Sequence, residues 1–159
     1  MPRAAVITVS DRSASGERPD SSGPVAVSAL RDAGFDCLDA IVVADGADSV
    51  ERALTAQVVA GVKLIVTSGG TGVGPRDATP EGTARVLTRE VPGISEELRR
   101  LGAAEKAAGM LSRGLAGVVD PYGVLVVNLP GSPKGVASGM PVVLSIAHHV
   151  LDQLSGGDH

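Results

Sequence analysis

The sequence predicts an α/β fold of three layers: a mostly parallel sheet with helices on both faces, and a short antiparallel hairpin. Strand-like and helix-like segments alternate along the chain. The strand-like runs are continuously apolar, as strands covered on both faces require. The chain has 159 residues, the size of one domain spanning 1–159, with no internal repeat and no linker.

The first run, "AAVITVS" (Ala4–Ser10), reads as a buried strand followed by a polar loop, "DRSASGERPDSSG". "PVAVSALRDAG" has a helical pattern closed by Gly34. "CLDAIVVAD" (Cys37–Asp45) reads as a second strand. Asp48 is placed to cap the next helix, "SVERALTAQVVAG", whose Val50, Ala53, Leu54 and Val58 form one apolar face. "VKLIVTS" (Val62–Ser68) is the third strand, and it runs directly into glycine. "PEGTARVLTRE" and "PGISEELRRLGAAEKAAGML" each open with Pro in a first-turn position and read as helices, with "EELRR" and "AAEKAA" as solvated face. "GVVDPYGVLVVNLP" reads as two short strands around a Pro-Tyr turn, the second being Val124–Leu129. A long helix, "GVASGMPVVLSIAHHVLDQL", precedes a tail "SGGDH" expected to fray.

Composition narrows the function. Phe35 and Tyr122 are the only aromatic residues, so Val, Leu, Ile and Ala must fill the core. A net charge of −4 and the lack of a stacking platform argue against nucleic-acid binding. No run approaches the roughly 18 apolar residues that cross a bilayer, and the start of the chain lacks a signal-peptide core. Cys37, the only cysteine, reads as a small hydrophobe in a strand and permits no intrachain disulfide. The expected location is the cytoplasm.

In a parallel sheet, ligands bind beyond the carboxyl ends of the strands. Four segments follow those ends: Asp11-Arg12-Ser13, Asp45, the loop "TSGGTGVGPRDATPE", and "LPGSPKG". The glycines allow positive φ and close backbone approach, so successive N–H groups can form an anion nest, aided by Ser68 and Thr71 hydroxyls. The loop is neither a P-loop nor G-x-G-x-x-G, since Pro75 takes the last glycine's place counting from Gly70. A plain turn is the competing reading. A carboxylate beside such a nest repels phosphate unless a cation bridges them, as Mg²⁺ does. Asp45 and Asp77 are placed for this, although Asp45 also suits a turn and Asp77 suits a helix cap or a pair with Arg76. Asp11 suits a cap or contact with a sugar or pterin. Arg113, after Ser112, suits a phosphate clamp or the capping of helix carbonyls. Gly131 and Ser132 offer amides and a hydroxyl between two prolines, and Lys134 suits an anion. His148 and His149 are adjacent on a helix and so point apart, which excludes joint metal ligation and leaves them structural or at the surface. With the third histidine at His159, no Ser-His-Asp triad is indicated.

Taken together, "VSDRSASGERPDSSG", "TSGGTG…RDATPE", "LSRG" and "NLPGSPKG", in this order from about Ala5 to the last helix, resemble the Mog/MoaB family of molybdenum-cofactor biosynthesis. The resemblance implies the Mog-like molybdopterin-binding fold assembled as a homotrimer. It implies Mg²⁺-dependent adenylyl transfer from ATP to molybdopterin, giving adenylyl-molybdopterin and pyrophosphate. It implies a further partner in the molybdate-inserting enzyme of the same pathway. Asp45 and Asp77 match the catalytic and metal-binding acids. Asp11 and Ser13 match the "SDR" entry. Thr67, Ser68, Gly69, Gly70, Thr71 and Gly72 match the phosphate-receiving loop, Ser112 and Arg113 the "SR" pair, and Pro130, Gly131, Ser132 and Pro133 the "PGxP" turn. Two competing expectations are a non-catalytic trimeric molybdopterin carrier of the MoaB type and a generic sugar-phosphate or nucleotide binder. Retention of two acids favours the enzyme over the carrier, and the "SDR" and "PGSP" motifs speak against the generic binder.

Overall fold

The computed structural model describes residues 1–157. The last two positions, including His159, lie outside the described residues. Among the described residues seven strands form one sheet: β1 (Arg3–Val9), β2 (Asp36–Cys37), β3 (Ile41–Val43), β4 (Leu64–Ser68), β5 (Arg89–Glu90), β6 (Ala116–Val119) and β7 (Val124–Leu129). Their order is β2-β1-β4-β7-β6-β5, with β3 also paired to β1. The pairings of β1 with β2, β3 and β4, and of β4 with β7, are parallel. β6 runs antiparallel to both β7 and β5. The expected hairpin is therefore β6–β7, joined across the cis bond Asp120–Pro121.

Among the described residues six α-helices flank the sheet: α1 (Asp11–Ala14), α2 (Gly23–Asp32), α3 (Ala47–Val59), α4 (Thr79–Ala84), α5 (Pro92–Glu105) and α6 (Pro133–Leu154). The strand alternation sorts side chains into two cores. Ala4, Val6, Leu64, Val66, Leu125 and Val127 pack with Leu30, Phe35, Ile94, Met140 and Val143 of the α2, α5 and α6 side. Ala5, Ile7, Val9, Ile65, Val124 and Val126 pack with Val50, Leu54 and Val58 of α3. Two apolar faces on one sheet require two helical layers, which is why the strands read as unbroken apolar runs.

Several local expectations are corrected. The polar loop after β1 begins as a helical turn, α1, because Ser10 caps it by accepting the Ser13 N–H at 3.2 Å. The run Cys37–Asp45 is two strands, β2 pairing the start of β1 (Arg3 with Asp36) and β3 its end (Ile7 with Ile41). Asp48 caps nothing; Gly46 occupies the cap of α3, and Asp48 pairs with Arg85 at 2.6 Å. The helix expected to run on from Pro80 stops at Ala84, and the chain turns to pair as β5, Thr88 N–H donating to Val118 O at 2.9 Å. The next helix stops at Glu105 and is followed by a 3₁₀ turn, Ala107–Leu111. Of the tail expected to fray, Ser155–Gly157 fold back on α6, with Gly157 N–H donating to Asp152 O at 2.8 Å, and the rest lies outside the described residues.

Among the described residues no helix is long and apolar enough to cross a membrane. Cys37 is buried, and burial raises its thiol above the ordinary value, in keeping with a hydrophobe's role. His148 stacks on Phe35 with ring centroids 4.8 Å apart, and His149 Nε2 lies 2.9 Å from Gln153 Nε2.

Candidate active site at the carboxyl rim

Parallel register brings the ends of four strands together. Val9 pairs with Val43, Thr8 with Ser68, and Ser68 with Leu129, so the segments after β1, β3, β4 and β7 leave the sheet side by side. The glycine loop leaves β4 as the ridge between two depressions. On one side is a cleft of about 230 Å³ lined by Ser13, Arg18, Asp45, Ser68, Gly69, Gly70, Asp77 and Gly131, among others. On the other is a groove of about 590 Å³ that includes Thr71, Gly72, Ser112, Pro130, Gly131, Ser132, Leu98, Arg99 and Lys134. Gly131 borders both.

The glycines are required by geometry. Gly69 has φ +101°, and a Cβ there would collide with the Val9 carbonyl oxygen. Gly70 has φ +68°, and its Cβ would strike Thr79 Oγ1 and lie 3.2 Å from Asp45 Oδ1. Gly69 N–H donates to Leu129 O at 3.1 Å. The carbonyls of Gly69 and Gly70 receive Thr79 Oγ1 and N–H at 2.8 and 3.1 Å. Among the described residues, the N–H groups of Gly70, Thr71 and Gly72 have no partner, nor do those of Gly131 and Ser132. Five unengaged amides on two facing loops are what an anion nest needs.

The carboxylates are arranged with equal care. Asp11 N–H donates to Asp45 Oδ2 at 2.9 Å, and Asp45 N–H donates to Asp11 Oδ1 at 3.0 Å. Arg76 makes a two-point contact with Asp11 and also donates to Asp45 O at 3.0 Å. Arg76 therefore pairs with Asp11 and not with Asp77. Its guanidinium holds the Asp11 carboxyl below the usual carboxylate range. Burial raises the Asp45 carboxyl; the Asp11 N–H opposes the rise, while the negative charges of Asp11 and Asp77 add to it. Asp77 caps no helix; its Oδ2 accepts the Gly74 N–H at 2.9 Å within its own loop.

No group of three or more Asp, Glu, His or Cys among the described residues is arranged to hold a metal ion by itself. The donor set instead suits a hard cation completed by phosphate oxygens and water: Asp45 and Asp77 line one cleft beside unengaged amides, together with Asp20, whose carboxylate already accepts Thr8 Oγ1–H and Gly23 N–H. Burial is the main cause of the raised Asp45 carboxyl, and such a cation would relieve the smaller part that the Asp11 and Asp77 charges add.

Other sequence-selected residues have supporting positions. Thr67 is fully buried, its hydroxyl accepting Asn128 Nδ2–H at 2.9 Å beneath the loop. Ser68 Oγ lies 2.9 Å from Ser22 Oγ and 3.1 Å from Pro130 O, tying the two loops together. Ser132 caps α6 by accepting Gly135 N–H at 3.0 Å, with Pro133 as its first residue. Ser112 Oγ accepts Gly114 N–H at 3.3 Å at the rim of the groove. Ser13 lines the cleft from α1.

Arg113 satisfies carbonyls of the glycine loop, not those of a helix end. Its N–H donates to Thr71 O at 2.8 Å, Nε to Gly72 O at 2.8 Å and Nη2 to Asp77 O at 2.9 Å, while Nη1 pairs with Glu81 at 2.7 Å. That engagement holds the Glu81 carboxyl below its ordinary value. Every nitrogen of the Arg113 guanidinium thus has a partner, and the side chain staples the glycine loop to Glu81.

Three residues escaped sequence reasoning. Asn128, buried in β7, donates to Thr67 and Thr83 hydroxyls at 2.9 and 3.0 Å and accepts Leu115 N–H at 3.0 Å. A lone Asn in "VLVVNLP" was the available signal, since a buried amide must have partners. Asp20 accepts Thr8 Oγ1–H and Gly23 N–H, at 2.9 and 3.0 Å, anchoring the start of α2. Arg99 leaves the solvated face expected of "EELRR" and donates to Gly114 O at 3.0 Å beside the groove.

An open α/β sheet whose loops build a two-part crevice beyond the strand ends belongs to the class of small-molecule-binding doubly wound proteins. Residues 5–149 match the family model described as a probable molybdopterin binding domain. The chain is 40% identical over 156 residues to a molybdenum cofactor biosynthesis bifunctional protein of Synechococcus elongatus, covering 98% of this chain and 48% of that one. It is 36% identical over 149 residues to a molybdopterin adenylyltransferase of Pyrococcus furiosus, covering 92% and 87%. The solved Mog protein of Mycobacterium ulcerans superposes with a TM-score of 0.90 at 45% identity, covering 97% of this chain and 99% of that one. The chain belongs to the Mog/MoaB family of molybdenum-cofactor biosynthesis. It spans about half the length of the bifunctional relatives it matches.

Proposed function

We propose that the protein is a molybdopterin adenylyltransferase. The observation that carries this reading is the ridge itself: unengaged amides at Gly70–Gly72 and Gly131–Ser132, with the Asp45 and Asp77 carboxylates on one side and a larger, partly apolar groove on the other. ATP phosphates fit the Asp45–Asp77 cleft, and the pterin fits the groove, where Leu98 and Leu111 offer apolar surface and Lys134 a positive charge. The terminal phosphate oxygen of molybdopterin attacks the α-phosphorus of ATP across the ridge. A new P–O bond forms, the bond from the α-phosphorus to the bridging oxygen breaks, and pyrophosphate leaves.

The residues bind, orient and neutralise; no side chain is required as a covalent intermediate. The amides of Gly70 to Gly72 hold the phosphate between the two pockets. Arg113 keeps that loop in shape through its carbonyls. Asp45 and Asp77 would hold Mg²⁺, which supplies charge neutralisation on the polyphosphate when bound. The homotrimer and a hand-over of product to a molybdate-inserting enzyme belong to the same reading, and the family resemblance supports both. Sedimentation of a monomer at micromolar concentration would refute the trimer.

Incubation with molybdopterin, ATP and Mg²⁺ tests the transfer. Adenylylated pterin and one equivalent of pyrophosphate are expected. Bound pterin without either product would instead identify a carrier.

A further inference from the structure

The smaller cleft has one basic side chain in its wall. Among its lining residues Arg18 is the only Lys or Arg, and it shares the cleft with Asp20, Asp45 and Asp77. Arg31, Arg76, Arg85, Arg89, Arg100 and Arg113 each pair with a carboxylate, whereas Arg18 forms no ion pair among the described residues. The acids beside it take other donors: Asp20 accepts Thr8 Oγ1–H and Gly23 N–H, Asp45 the Asp11 N–H, and Asp77 the Gly74 N–H. The backbone around Arg18 is fixed on both sides. Glu17 and Arg18 N–H both donate to Arg12 O, at 2.9 and 3.3 Å, after a turn made by Gly16 at φ +80°. Pro19 follows, and Asp20 ties the chain to β1 and to the start of α2. An anchored loop thus brings one unpaired guanidinium to a polar cleft.

We infer that Arg18 binds the two outer phosphates of ATP, the part that departs as pyrophosphate. The inference rests on the transfer reading above and adds a residue to its leaving-group side. In that reading the amides of Gly70 to Gly72 hold the phosphate shared by the two pockets, so the β- and γ-phosphates extend into the cleft that Arg18 lines. A guanidinium suits them, because its planar fork offers parallel N–H donors to phosphate oxygens and keeps its charge at neutral pH. When the bond from the α-phosphorus to the bridging oxygen breaks, its electron pair stays with the pyrophosphate. Arg18 N–H groups donate to the oxygens on which that charge grows. The residue also separates nucleotides by length, since ATP carries phosphates that reach it and AMP does not. No ion pair has to open first, so the contact forms without that cost.

The test is calorimetric binding of α,β-methylene ATP, inorganic pyrophosphate and AMP to the full chain, each with Mg²⁺. Arg18→Ala is expected to weaken the ATP analogue and pyrophosphate by about tenfold or more, while AMP stays within about twofold of wild type. Arg18→Lys, which keeps the charge and loses the fork, should recover part of the loss. The deficit should persist between about 0.15 M and about 0.5 M salt, because a contact survives screening that removes a long-range field. Thermal melting of each variant verifies folding, with a shift of only a few degrees expected for an exposed side chain. Unchanged binding of the analogue and pyrophosphate by Arg18→Ala, an equal loss of AMP, or a deficit that vanishes in salt would overturn the inference. The Arg18 pattern without adenylyl product from molybdopterin would overturn the transfer reading alone. A wild-type protein that binds neither the analogue nor pyrophosphate would overturn both.

Discussion

On the Gly69–Gly70 side of the ridge the rim is a small cleft with Asp45 and Asp77 in its wall, while the Thr71–Gly72 side opens into a groove more than twice as large, about 590 Å³ against about 230 Å³. The first is built from strand ends and is polar. The second is built largely from α5, the 3₁₀ turn and the start of α6, and carries Leu98, Leu111, Arg99 and Lys134. Asp45 and Asp77 face the cleft while the leucines, Arg99 and Lys134 lie in the groove, so the two sides offer different chemistry. The ridge between them has little freedom, because Arg113, Thr79 and Leu129 occupy its carbonyls and its first amide. What remains unengaged, the amides at Gly70 to Gly72, is what a shared phosphate would use.

Substitutions can separate the two sides, and the largest effect is expected where catalysis depends on charge. Asp77→Asn should lower transfer by about 10²–10³-fold while leaving pterin affinity and melting temperature near wild type, because only transition-state charge is uncompensated. Single-turnover kinetics with pterin titration would reveal it; equal loss of pterin binding would place Asp77 against the pterin instead. Collapse of the ridge comes next. Gly69→Ala forces a side chain at φ +101° against the Val9 carbonyl. It should cost about 3 kcal/mol or more in urea unfolding. Arg113→Ala should cost about 1–2 kcal/mol, since the Gly72 and Asp77 carbonyls lose their charged donor, and should weaken ligands on both sides together.

The smallest effect is a pH dependence confined to the acidic side. The native Asp45 carboxyl is raised above its unfolded value, chiefly by burial. The native state therefore holds a proton there more tightly than the unfolded chain does. The resulting stabilisation is full below the unfolded pKa and is lost as pH rises through the raised native value. Metal-free Asp45→Asn should thus melt slightly above wild type at neutral pH, and the difference should shrink as the pH is lowered into the carboxylate range. Thermal scans across pH without divalent cation would show this, and a stability gain confined to low pH would contradict it.

How far the sequence announces these features depends on whether their cause is local. Strands β1, β4 and β7 are legible because two buried faces demand unbroken apolar runs. The glycine loop and the "PGSP" turn are legible because backbone that tight admits few residues. The break between β2 and β3 was not legible, since Leu38-Asp39-Ala40 leaves the sheet only because β2 and β3 pair with different halves of β1. β5 is two charged residues, Arg89 and Glu90, whose strand character comes wholly from pairing with β6. In the site, Asp11, Asp45 and Asp77 could be gathered by counting strand ends. Which acid receives Arg76, and that Arg113 serves loop carbonyls, depends on contacts across 65 and 41 residues of chain, which no local pattern encodes.

The separation of the two sides is tested most directly by crystals grown with Mn²⁺ and a non-hydrolysable ATP analogue, read by anomalous scattering. The account predicts an Mn²⁺ peak between the Asp45 and Asp77 carboxylates, with the α-phosphate beside the Gly70 amide. Nucleotide phosphates lying along Arg99 and Lys134, with no peak at the two acids, would contradict it.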